Sequence, residues 1–67
     1  MANAIGQLQR FAWAHRAHVA IVGTATDSGQ YEWSVALTWG AELASSEDRA
    51  LEPAILRALS DAKDKVE

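Results

Sequence analysis

The chain contains no cysteine. Disulfides and thiolate metal sites are therefore excluded, and with them the covalent and zinc staples on which many short domains rely. Nowhere does an apolar run approach the roughly 18 residues of a membrane span. Residues 1–6 lack the basic region and apolar core of a signal peptide, so a soluble, cytoplasmic protein is expected. Cations are scarce: six Lys and Arg stand against nine Asp and Glu, for a net charge of −3. A dedicated nucleic-acid binder normally carries a basic footprint, so direct nucleic-acid binding ranks below a protein partner. The four glycines, Gly6, Gly23, Gly29 and Gly40, are scattered one per junction, and no phosphate-cradling loop exists. No G-x-S-x-G elbow and no Ser-His-acid set with useful spacing is present, and no enzyme activity is expected. His15 and His18 have no nearby carboxylates that would complete a metal site. Paired acids such as Glu47 and Asp48 suit a helix start better than acid–base work. Catalytic residues, metal and cofactor are accordingly all read as none.

What is present is organised around one hairpin, residues 19–39. It holds two of the three tryptophans and the only tyrosine. Tyr31, Trp33, Val35, Leu37 and Trp39 alternate with Glu32, Ser34, Ala36 and Thr38, the period of a half-buried strand. The preceding run places Val19, Ile21, Gly23 and Ala25 on one face, and His18, Ala20, Val22, Thr24 and Thr26 on the other. Matching the two apolar faces fixes the register, because a slip of one residue turns a strand over. A three-residue loop Asp27-Ser28-Gly29 gives that register. It pairs Thr26 with Gln30, sets Gly23 opposite Trp33, and puts Gly where a type I turn plus bulge needs a left-handed residue.

Helical patterns flank the hairpin. Asn3 suits an N-cap, and Ala4, Ile5, Leu8, Phe11, Ala12 and His15 form a stripe. A helix over about residues 4–17 follows, with the stripe against the hairpin's aromatic face. Gly40 ends the second strand, and residues 41–46 read as a connector. Ser45 or Ser46 suits the cap of a turn, with Asp48 at the position a capping box would fill from Ser45. Pro53 is welcome at a first helical position. A short turn over about residues 46–51 and then a helix over about 53–65 are expected, the alternative being one kinked helix from Ser46. Ile55, Leu59, Ala62 and Val66 make its stripe. The expected fold is α+β: one small domain over residues 1–67, order α-β-β-α, with an antiparallel hairpin covered on one face by both helices. A domain this short buries only about 60% of its unfolded surface and is marginal alone.

Trp13 does not fit the first helix's stripe. It lies about 140° from Leu8, near Gly6, Gln9, Arg10 and Ala17. Exposed Trp beside Arg10 and Arg16 is the favoured composition of a protein-interface anchor. A second candidate surface is acidic, Glu32, Glu42, Glu47, Asp48 and Glu52, which suits a partner with a basic surface. A two-stranded sheet also leaves open edges and a flat even face, Ala20, Val22, Ala36 and Thr38, and a homodimer through either is expected.

Asp27-Ser28-Gly29-Gln30-Tyr31, with the later Ser46-Glu47-Asp48-Arg49-Ala50-Leu51, faintly resembles the antitoxin domains of the HicB type, a hairpin with a Gly-aromatic turn followed by an acidic helix. That resemblance covers about half the chain and implies an antitoxin-like regulatory module. The third strand of that family has no counterpart in the expected order, and the leading helix is additional. The α-β-β-α order also differs from double-stranded-RNA-binding domains, which have three strands and basic helix ends. Short, acidic, cysteine-free domains of this kind are similar in type to phage and mobile-element inhibitors of host defence, anti-CRISPRs included. Three functions follow: an interaction module or inhibitor acting by surface blocking, a nucleic-acid-binding or regulatory module using Arg10, Trp13, Arg16 and His18, and a self-assembling subunit.

Overall fold

A computed structural model describes residues 3–66. Helix α1 spans Ala4–His15, strands β1, β2 and β3 span His18–Ala25, Tyr31–Trp39 and Glu42–Asp48, and helix α2 spans Leu51–Val66. The class is α+β, with three antiparallel strands in the order β1-β2-β3 instead of a lone hairpin.

The β1–β2 register is the expected one, with Gly23 opposite Trp33. Thr26 donates its N–H to the Gln30 carbonyl at 2.7 Å, and Gly29 closes the turn with φ +82°. Gly23 accommodates more than the indole. A Cβ there would lie 2.5 Å from Tyr31 Cε2 and 3.0 Å from Trp33 Cζ3, because the two rings pack 5.2 Å apart across the glycine. Gly23→Val is therefore expected to lower stability by about 1–3 kcal/mol through overpacking. Denaturant melts test this, and a variant as stable as the parent would contradict it.

The segment expected to be a connector is strand β3. Trp39 pairs with Glu42 across Gly40-Ala41, a two-residue hairpin loop with a left-handed Gly (φ +55°) in first place. Ser45, expected to open a capping box, is a strand residue beside Ala36. The short turn expected over residues 46–51 reduces to a bend at Arg49 and Ala50. Helix α2 also starts before Pro53. The proline sits in the first turn, where its missing N–H has no intrahelical partner to lose, and the carbonyl four residues back lies outside the helix. Asp48 holds the bend before the helix by accepting from the Ala50 N–H at 3.2 Å.

Helix α1 is capped as expected, with Asn3 Oδ1 accepting from Gly6 N–H at 2.6 Å. It ends at His15, earlier than residue 17, because Arg16 turns left-handed (φ 53°) and Ala17 N–H returns to the Ala12 carbonyl. The core joins Ala4, Leu8 and Phe11 of α1 to Val35, Leu37 and Ala44 of the sheet and to Ala54, Ile55, Ala58, Leu59 and Ala62 of α2. Helix α2 lies on β2 and β3, whereas α1 packs mainly on α2. The α1 stripe thus meets the other helix, and touches the hairpin's aromatic face through the edge-on Phe11–Trp39 contact at 5.2 Å. In consequence β1 is only partly covered on its helix side: Val19 and Ile21 are 39% and 41% exposed.

Candidate interaction surfaces

Trp13 is 88% exposed. Its position follows from helix geometry: it lies about 200° around α1 from buried Phe11, so packing Phe11 on the core turns the indole outward. Gly6, Gln9, Arg10, Ala12, Trp13 and Ala17 line one open trough along that outer face. Arg16 lines a second depression with Ala12, Trp13 and Ala14. Trp13 thus borders both depressions, with Arg10 in one and Arg16 in the other. The ion pairs among the described residues are Arg57–Asp48 at 3.3 Å and Lys65–Asp61 at 3.7 Å, so both arginines beside Trp13 keep their donors for a partner.

Arg16 is the one non-glycine residue with positive φ among those described. Helices commonly end on glycine in that conformation, because a Cβ makes it costly. An arginine held in a strained cap, next to an exposed tryptophan, is a feature associated with binding sites.

The acidic set is not brought together. Glu32 and Glu47 share the uncovered sheet face, near one end of β2 and β3. Glu42 lies at the other end of β3 and on the helix side, in the alternate position to buried Ala44. Asp48 is engaged within the chain, in the bond from the Ala50 N–H and the pair with Arg57. Glu52 sits in the first turn of α2.

Ala20, Val22, Ala36 and Thr38 do form one surface. Ala20 pairs with Ala36 and His18 with Thr38 across β1–β2, and Leu43, Ser45 and Glu47 of β3 extend the same bare face. His18 belongs to this face, not to the Trp13 trough. His15 is exposed and packs against Phe11 in a tilted arrangement, ring centroids 4.4 Å apart.

With β3 the order is α-β-β-β-α, so strand number no longer separates the chain from double-stranded-RNA-binding domains. Helix α2 carries Glu52 in its first turn and Lys63 and Lys65 in its last. The HicB-type resemblance gains a third strand but loses its second segment, because Ser46-Glu47-Asp48 ends β3 instead of opening a helix. Compared with protein-family models, curated proteins and solved structures, the chain matches none. Among the described residues no group of three His, Asp or Glu is placed to hold a metal, and no helix is long and apolar enough to cross a membrane.

Proposed function

We propose that the chain is a small, non-enzymatic protein–protein interaction module that acts by covering a surface on its partner, in the manner of phage or mobile-element inhibitors of host defence complexes. The binding surface is the outer face of α1. Trp13, 88% exposed and flanked by two arginines that form no ion pair among the described residues, carries the reading. Exposed Trp and Arg are the residues from which interface anchors are drawn. A complementary partner offers an apolar slot for the indole with carboxylates at its rim. The dispersal of Glu32, Glu42, Glu47, Asp48 and Glu52 favours this face over an acidic one against a basic partner.

The test is affinity capture by tagged protein from a nuclease-treated lysate of its host cell. One stoichiometric protein is expected, absent with Trp13→Ala and retained with Glu32→Lys/Glu47→Lys. Equal capture by Trp13→Ala would overturn the assignment of the surface. The same Trp and Arg groups support a second reading, base stacking with phosphate contacts. It predicts capture of nucleic acid without nuclease, with retention that falls steeply as salt rises.

A further inference from the structure

The two edges of the sheet are built differently. The β3 edge is guarded. Lys65 at the end of α2 donates to the Leu43 carbonyl, and the strand carries Glu42, Glu47 and Asp48. Charges along an edge, and a covering group on its backbone, are how sheets avoid further pairing. Among the described residues the β1 edge has neither. From His18 to Ala25 it carries no Lys, Arg, Asp, Glu or Pro, and seven of its eight residues are exposed with only Gly23 half-buried.

The backbone phase of that edge is fixed by the hairpin. Thr26 donates to Gln30 next to the loop, and antiparallel pairs alternate between bonded and non-bonded. Even-numbered residues of β1 therefore turn their N–H and C=O groups toward β2. Val19, Ile21, Gly23 and Ala25 turn theirs outward. The side chains of Val19 and Ile21 lie on the helix side, beyond the cover of α2.

We infer that β1 pairs antiparallel with β1 of a second copy about a two-fold axis at Ile21. Ile21 then exchanges hydrogen bonds with its own counterpart, and Val19 with Gly23 of the other copy. A two-fold of this kind keeps all four helices on one side of a continuous sheet. Val19 and Ile21 of both copies meet in the strip that the helices leave open. On the uncovered face Ala20 lies beside Val22 of the partner copy. Charge favours this contact over stacking of the bare faces. That face carries Glu32 and Glu47 and no Lys or Arg among the described residues, so stacking would bring carboxylates together, whereas the β1 edge has no charged side chain to oppose. The assembly also stops at two, because both outer edges are then the guarded β3 strands. This inference is independent of the Trp13 surface.

Sedimentation at tens of micromolar tests it, with a mass twice 7.3 kDa expected. Ile21→Lys places like charges opposite each other at the axis and is expected to return the mass to 7.3 kDa with an unchanged far-UV spectrum. Since the chain has no cysteine, single substitutions report contacts cleanly. Ile21→Cys brings two thiol-bearing residues about 5.5 Å apart between Cα atoms, within disulfide reach, and mild oxidation is expected to give covalent dimer. A monomeric parent protein would overturn the proposal. So would a dimer that survives Ile21→Lys, or one that cross-links through Ala36→Cys on the bare face and not through Ile21→Cys. Trp13→Ala is expected to leave the mass unchanged, which keeps this result separate from the partner-binding test.

Discussion

Leu37→Ala is expected to lower the melting temperature by more than about 8 °C, and to leave a substantial fraction of the protein unfolded at physiological temperature. Leu37 is fully buried in the central strand, paired with Val19 on one side and Ala44 on the other. Its neighbours in the core include the alanines Ala44, Ala54, Ala58 and Ala62. Alanines cannot extend into a vacated volume, so the cavity stays open and the loss falls within the 2–5 kcal/mol usual for a buried leucine, about 3 kcal/mol or more. A domain of this length holds roughly 3–10 kcal/mol of total stability. Leu43→Ala is the control. Leu43 is of the same type and one residue from Ala44, but it lies half-exposed on the bare face, and its loss is expected to cost under about 1 kcal/mol. Equal melting temperatures for the two variants would mean that the core is not where the fold places it.

Trp13→Ala is expected to weaken partner binding by about 2 kcal/mol or more, roughly thirtyfold, while changing stability little. The asymmetry follows from exposure. An indole that is 88% exposed loses almost no intramolecular burial on truncation, whereas a bound indole is desolvated wholly at the partner's expense. Titration of the captured partner against both proteins measures the first effect, and denaturant melts measure the second. A variant that binds normally but melts early would instead assign Trp13 a structural role.

Much of this was legible in the residues, for local reasons. The hairpin register followed from two constraints that agree, the alternation of Tyr31 to Trp39 and the Gly29 turn. The Asn3 cap and the outward turn of Trp13 are properties of one helix. Strand β3 was hidden because its composition argues against a strand. Ala, Ser, Glu and Asp are poor strand formers, its one large apolar residue, Leu43, faces outward, and its core contact is made by Ala44. The two-residue loop Gly40-Ala41 was the available signal, since glycine in first place suits a hairpin. Pro53 misled in the opposite direction, because a proline in a first turn does not mark the start of a helix. The partial cover on the helix side of β1 was unreadable locally. It depends on α1 resting against α2, a contact between residues some fifty positions apart in sequence. For the same reason the role of Asp48, acceptor from the Ala50 N–H and ion-pair partner of Arg57, was not separable from the acidic surface residues.

The measurement that tests the interaction surface most directly is Arg16→Gly, read for stability and partner affinity together. Glycine relieves the left-handed cap, so the variant is expected to gain about 1 kcal/mol in a denaturant melt. It also removes one of the two arginines flanking Trp13, so affinity for the captured partner is expected to fall. Higher stability with weaker binding is the outcome of an arginine kept at a strained position for its contacts. Higher stability with undiminished binding would contradict the assignment of the outer face of α1 as the binding surface.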